Sequence, residues 1–291
     1  MKYRSVFRPG LFDGQTVIVT GGGSGIGRCT AHELAALGAD VVIVGRNEEK
    51  LARVRAEIVE DGGKASTIVC DIRVEAAVIN AIDQVLAANG RIDGLVNNAG
   101  GQYRAALKTI STKGFEAVVR NNLTGGFIFM REVYTRWMEG NGGAIVNMIA
   151  DISNGWPNFA HSGAARGGMH TLSESAASEW AAANVRVNTV APGAIASSGL
   201  DTYDAQHTAY IQNEVVSKIP LQRFGTESEA AAAIVFLLSP AAAFITGSCI
   251  RIDGGAPNAR EIWGTLPRSD KSKPFNGFHR AAMPEILSTS E

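Results

Sequence analysis

The stretch TVIVTGGGSGIGR, Thr16 to Arg28, restricts the fold of this 291-residue chain more than any other. Five β-favouring residues lead straight into a glycine-rich turn, and the turn opens a segment of helical character. Glycines let a backbone come close to a pyrophosphate. A helix N-terminus adds unpaired N–H groups and a dipole that favours anions. The spacing Gly21, Gly25, Gly27 departs from the common G-x-G-x-x-G, and such turns also arise for geometric reasons alone. The pattern of the chain beyond Arg28 therefore decides the meaning of this turn.

Beyond Arg28, apolar runs and helical patterns alternate up to about Gly255. TVIVT (16–20), ADVVIVG (39–45), STIVCD (66–71), IDGLVNN (92–98), GAIVNMIA (143–150), VRVNTVA (185–191) and SCIRID (248–253) read as strands. Helices are expected over 25–37, 48–60 and 75–88, and two longer ones over roughly 112–138 and 161–183. Most strands are apolar on consecutive residues, the mark of a sheet covered on both faces. The expected architecture is α/β: a single doubly wound, Rossmann-type domain with a seven-stranded parallel sheet flanked by helices. It spans 1–291, with a core over 12–256 and an extension over 257–291. That extension is polar and broken by prolines, yet carries Trp263, Phe275 and Phe278. It reads equally as a loose tail and as a segment packed on its own or a neighbouring subunit.

A net charge of −1 supplies no basic stripe, so no nucleic-acid partner is expected. The longest apolar run, Ala230 to Leu238, is far too short for a bilayer, and the N-terminus lacks an apolar signal core. Cys29, Cys70 and Cys249 lie far apart, and neither cysteines nor histidines have metal-ligand spacing. A cytoplasmic protein with no metal and no membrane partner is expected.

The end of the second apolar run bears on the ligand. A carboxylate there would hold both ribose hydroxyls of NAD(H); this chain has Gly45 and Arg46. An arginine can pair with a 2′-phosphate, so NADP(H) is the expected cofactor and NAD(H) the less favoured one. Arg28 offers a second cation to the same end. Asp71 either accepts from an adenine amino group or caps the next helix.

TGGGSGIG (20–27), NNAG (97–100), NNLTG (121–125), GAIVN (143–147), VRVNTVAPGAI (185–195) and RIDGG (251–255) occur in order. Together they resemble the short-chain dehydrogenase/reductase superfamily over about residues 12–256. GGQYRAAL, HSGAARGG and LLSPAAAFITG most resemble the peroxisomal trans-2-enoyl-CoA and 2,4-dienoyl-CoA reductase branch. The resemblance implies a nicotinamide cofactor, an acyl-CoA-type substrate and a homotetramer. It implies a phosphate turn of Thr20, Gly21, Ser24, Gly25, Ile26 and Gly27, and an adenine contact from Asp71 and Ile72. Asn97, Asn98, Ala99 and Gly100 match the segment over the adenosine side. Pro192, Gly193 and Ile195 match the nicotinamide loop, and Ser197 the residue that holds the carboxamide. Asn122 matches the asparagine that interrupts a long helix and anchors a proton-relay water.

Three usual catalytic positions differ. The family's serine falls at Ala150, its tyrosine at Ser162 and its lysine at Arg166. A serine hydroxyl is a far poorer acid than a phenol, so ordinary ketone reduction is not favoured. Reduction of an enoyl thioester asks first for a donor to the thioester oxygen, which Ser162 can provide, while Arg166, four residues later on the same helix face, can hold the nicotinamide ribose and favour the developing enolate. Both also read as ordinary packed residues. The proton would come from water, Tyr103 or a histidine, with His161 and His170 as candidates. Asp151 reads as a turn residue before it reads as an acid. The expected function is NADP(H)-dependent reduction of the C=C bond of a 2-enoyl- or dienoyl-CoA thioester. Oxidoreduction of a 3-oxoacyl thioester or another carbonyl is the alternative, and a catalytically silent NADP(H)-binding protein the alternative of another class. The acyl-binding region, near 197–217, has no pocket signature.

Overall fold

A computed structural model describes residues 2–202, 210, 214–259 and 271–288. Strands β1 (Thr16–Thr20), β2 (Asp40–Gly45), β3 (Lys64–Val69), β4 (Gly94–Asn97), β5 (Gly143–Met148) and β6 (Val185–Pro192) belong to one sheet. Two short strands, β7 (Ile195–Ala196) and β8 (Gly225–Thr226), pair apart from it, and β9 (Cys249–Ile252) completes it. The order is β3-β2-β1-β4-β5-β6-β9, and every pairing is parallel.

The helices are α1 (Gly25–Ala36), α2 (Glu48–Glu60), α3 (Glu75–Asn89), α4 (Thr112–Val119), α5 (Gly125–Val133), α6 (Glu139–Asn141), α7 (Ala160–Glu179) and α8 (Glu227–Leu238). Side chains alternate across a strand, so β1 sends Val17 and Val19 into one core and Ile18 into the other. The first core takes Leu34 of α1, Leu51 of α2 and Val235 of α8; the second takes Ile82 of α3, Phe129 of α5 and Ala176 of α7. Coverage on both faces explains the consecutive apolar runs.

Two elements depart from expectation. β3 begins and ends two residues earlier than STIVCD, which leaves Cys70 and Asp71 beyond its end. It is an edge strand with alternating exposure, so hydrophobicity marks its limits poorly. The helix expected over 112–138 is interrupted by wide turns at Arg120–Thr124 and Tyr134–Met138. In the first, the Gly125 N–H bonds the Arg120 carbonyl, one residue further back than in an α-helix. Asn122 sits in that turn, and its Nδ2 donates to the Val118 carbonyl at 2.8 Å.

Residues 271–288 of the C-terminal extension pack on their own chain. Phe278 is buried with Tyr3, Cys29 and Ala231, and its N–H donates to Ser228 Oγ. Arg4 N–H donates to the Gly277 carbonyl, and Arg280 pairs with Asp61 and Glu60 on α2. Ile286 N–H donates to Asp201, beside the Ser197–Gly199 stretch. Trp263 lies outside the described residues. Among the described residues no helix is long and apolar enough to cross a membrane.

Candidate active site

β1 lies between β2 and β4, so the chain order reverses there and a crevice opens at the carboxyl ends of these strands. A cleft of about 430 Å³ occupies it. Gly21, Ser24, Gly25 and Ile26 form its floor, with Arg46, Asp71, Ile72, Asn98, Ala99, Gly100, Arg166 and Ser197 around it. Gly21 and Gly25 have φ of 66° and 58°, the left-handed region that glycine enters without strain. A Cβ on Gly27 would overlap Asn98 Nδ2 and the Gly21 carbonyl, so its bare backbone lets the turn close on the 97–100 segment. Thr20 ties the same pieces together. Its hydroxyl donates to the Val96 carbonyl and accepts from Asn98 N–H and Ala99 N–H, each at 3.0 Å.

The end of the cleft beneath β2 is cationic. Arg46 and Lys50 line it with Asn47, whose side chain caps α2 by accepting from Lys50 N–H at 2.8 Å. Asp71 is the carboxylate on this wall, and Arg73 engages both its oxygens. Those hydrogen bonds hold its pKa down to about 2. Arg28 does not contribute here. It pairs with Glu57 at 2.8 Å and stacks 4.8 Å over the Phe278 ring, on the far side of α1 from the turn.

At the other end, α7 carries Ser162 and Arg166 on its first turns, both buried. Arg166 Nη1 donates to the Met148 carbonyl at the end of β5, while its Nε has no protein partner. Burial lowers its pKa to about 10. Ser162 Oγ is likewise buried without a partner. Gly100 lies under this guanidinium, where a Cβ would come within 2.5 Å of Arg166 Nη2 and 2.6 Å of Asn122 Oδ1. Asn122 grips the neighbouring Gly101 twice, accepting from its N–H at 3.1 Å and donating to its carbonyl at 2.7 Å. The wide turn in the helix thus aims an amide at the loop under Arg166.

Several residues singled out in the sequence stand behind the cleft without lining it. Asn97 reaches Asn147 and the Gly126 carbonyl, both buried. Gly193 bonds the Ile252 carbonyl against Asp253, Pro192 accepts from Asp151 N–H, and Ile195 packs on Gly225. Asp151 also accepts from Ser153, so it closes the turn after β5, and burial raises its pKa. His170 turns away to Thr189 and Glu174. Lys50 and Met148 line the cleft although no motif holds them, and so do Asn121 and Gln102, which lie in NNLTG and GGQYRAAL but carry no assigned role. Lys50 carried a usable signal: with an N-cap at Asn47 it falls in the first turn of α2, where a long side chain leans back towards the strand end.

Residues 21–257 match the family described as enoyl-(acyl carrier protein) reductase. The chain belongs to the short-chain dehydrogenase/reductase family and is an oxidoreductase of the nicotinamide-binding kind. It is 35% identical over 258 residues to the peroxisomal 2,4-dienoyl-CoA reductase of Danio rerio, covering 88% of this chain and 85% of that one. Among solved structures it resembles the citronellol catabolism dehydrogenase AtuB of Pseudomonas aeruginosa PAO1, with 58% identity and a TM-score of 0.79, covering 87% of this chain and 99% of that one. A putative NAD(P)-dependent gluconate 5-dehydrogenase from Beutenbergia cavernae, solved with bound NADP at low occupancy, is 33% identical with a TM-score of 0.80, covering 86% and 100%.

Proposed function

We propose that this chain is an NADP(H)-dependent reductase of the C=C bond of a 2-enoyl- or dienoyl-CoA thioester. The observation that carries the proposal is the pair Ser162 and Arg166 on one face of α7: Arg166 lines the cleft, Ser162 is buried one turn before it and outside the lining, and Ser162 Oγ and Arg166 Nε are unpartnered. Buried polar groups are nearly always hydrogen-bonded, so these atoms call for a ligand to complete them. The turn fits a dinucleotide: Gly21 and Gly25 take left-handed φ values that bring bare backbone to the cleft at the start of α1, and Gly21 and Gly100 leave no room for a Cβ against Asn98, Ala99, Arg166 and Asn122. Arg46 and Lys50, with the wall's carboxylate already held by Arg73, fit a 2′-phosphate better than a bare ribose.

When bound, the cofactor would supply a hydride, to the β-carbon of a 2-enoyl thioester or to the δ-carbon of a 2,4-dienoyl one. Ser162 donates a hydrogen bond to the thioester oxygen as negative charge gathers there, and Arg166 adds a fixed positive charge in a water-poor site. Asn122 and Gly100 keep Arg166 at its station. Neither Ser162 nor Arg166 is asked to give up a proton, so the lack of a phenol is no obstacle to this chemistry. The 2,4-dienoyl-CoA reductase named among the relatives supports the choice of substrate.

The likeness to AtuB favours a second reading, in which an apolar alcohol and its carbonyl partner are interconverted. Purified protein should be mixed with NADPH and crotonyl-CoA, with NADPH and 2,4-hexadienoyl-CoA, with NADPH and acetoacetyl-CoA, and with NADP+ and citronellol, following the reduced-nicotinamide absorbance. Turnover confined to the enoyl or dienoyl thioester is expected. Turnover confined to acetoacetyl-CoA or citronellol would replace the proposal with carbonyl chemistry, and tight binding without turnover would make the protein a silent binder. Homotetrameric assembly and a cytoplasmic setting belong to the same proposal; Phe115 and Phe127, exposed on α4 and α5, support assembly through those helices.

A further inference from the structure

Resting on that reading, we infer that His161 is the acid that delivers the second proton, to the α-carbon of the substrate. Enoyl reduction by hydride leaves an enolate, and the site needs a donor that Ser162 and Arg166 do not provide.

His161 is fully buried in the first turn of α7, beside Ser162. Both its ring nitrogens lack a protein partner. Seven buried side-chain polar atoms are unpartnered among the described residues, and four of them lie between His161 and Arg166. A buried polar atom without a partner costs about 1–3 kcal/mol, so such a concentration marks a site completed by something else. The remaining cases, Asp253 and His279, stand beside Arg251 and Asp61 respectively.

The loop under the cleft ties His161 to the reacting end. Gly100 lies against the Arg166 guanidinium, Gly101 is gripped by Asn122, and Tyr103 meets the His161 ring edge-on with centroids 4.5 Å apart. Four residues of loop, Gly100 to Tyr103, thus reach from Arg166 to His161, which are separated along α7 by about 7.5 Å at ~1.5 Å per residue. Tyr103 itself is not placed as the donor: its hydroxyl lies against Gly114, leaving its ring to cover His161. His161 and Ser162 share the first turn of α7, and an imidazole enclosed at that level can act as an acid with water kept from competing.

The step balances simply. The imidazolium N–H bond breaks as the α-carbon–hydrogen bond forms, the enolate electron pair becomes that bond, and neutral imidazole regains a proton from water. The whole reaction consumes one NADPH and one proton per double bond.

The test uses the full chain with NADPH and crotonyl-CoA, comparing wild type, His161→Gln, His161→Ala and Ser162→Ala. His161→Gln should lower kcat by about 100-fold or more, the usual scale for a lost general acid. NADPH affinity should stay within about twofold, because the glycine turn, Arg46 and Lys50, which would hold the dinucleotide, are left intact. Added imidazole should restore much of the kcat of His161→Ala, which a purely packing role would not allow. Wild-type turnover with unimpaired His161→Gln, or with an impaired His161→Ala that imidazole leaves unrescued, overturns the inference and leaves the proposed function standing. A wild type that reduces neither crotonyl-CoA nor 2,4-hexadienoyl-CoA overturns both; one that reduces only the dienoyl thioester carries the same comparison of variants on that substrate.

Discussion

Arg166→Met separates a guanidinium kept for a ligand from one kept for the fold. Burial holds the Arg166 pKa at about 10 against an ordinary value of 12.5, so the folded protein carries a desolvation cost of ~3 kcal/mol at neutral pH. Methionine has similar length and no charge to desolvate. Its introduction strands the Met148 carbonyl, which loses the Nη1 donor, at a cost of about 1–2 kcal/mol. The expected net effect is a ligand-free protein more stable by ~1–2 kcal/mol, with NADPH affinity reduced at least about tenfold and kcat reduced with it. Because the folded-state pKa is depressed, the destabilisation relieved is full below about pH 10 and fades as pH rises from there towards 12.5. Urea unfolding without nucleotide, followed by the midpoint at constant slope, reads the stability; titration calorimetry reads the affinity. A variant less stable by ~1 kcal/mol or more that still binds NADPH as wild type does would refute the reasoning and make Arg166 a structural cation.

Three further outcomes are expected from the geometry. Arg46→Asp with Lys50→Ala should weaken NADPH binding by about 100-fold or more and NADH binding far less, since charge-assisted bonds to a phosphate contribute ~1.5–3 kcal/mol each; equal losses for both nucleotides would exclude a 2′-phosphate site there. Phe278→Ala removes a ring that packs 4.9 Å from His32 and 5.7 Å from Tyr3, and should destabilise by ~3–5 kcal/mol in urea; a loss below ~1 kcal/mol would mean the extension is not part of the core in solution. Glu33 is buried under Tyr3 and Ser5, and burial raises its pKa to about 7 from 4.5, so its stabilising contribution is full below pH 4.5 and is lost as pH rises through about 7. Unfolding curves between pH 5 and 8 should therefore show wild type losing stability relative to Glu33→Gln, and parallel curves would disprove that burial effect.

The parallel sheet was legible because its central strands are buried on both faces: β1 and α2 fall where the residue pattern puts them. β3 was misplaced by two residues because exposure on an edge removes the apolar signal. The wide turns inside the 112–138 segment were hidden, since one extra residue per turn leaves composition unchanged. Around the cleft, the glycine turn and Arg46 could be read from strand ends alone. Lys50 and Gln102 could not without the caps and loop path that carry them. Arg28 was misassigned because sequence distance from the turn does not tell which face of α1 an arginine leaves by; here Glu57 and Phe278 draw it away. Of the 197–217 stretch, residues 203–209 and 211–213 lie outside the described residues. His161 could be seen as a titratable residue, but its enclosure beneath Tyr103 depends on a loop more than fifty positions earlier.

The five-residue spacing at Arg120–Thr124 also sets how this helix can change length. Deleting one residue there would restore ordinary winding and leave Thr112–Val119 and Gly125–Val133 near their present faces, because the wide turn is where the extra residue is taken up. The loss would fall on Asn122, whose amide reaches Gly101 from the widened turn. A one-residue deletion in this stretch should therefore spare folding and loosen the loop under Arg166.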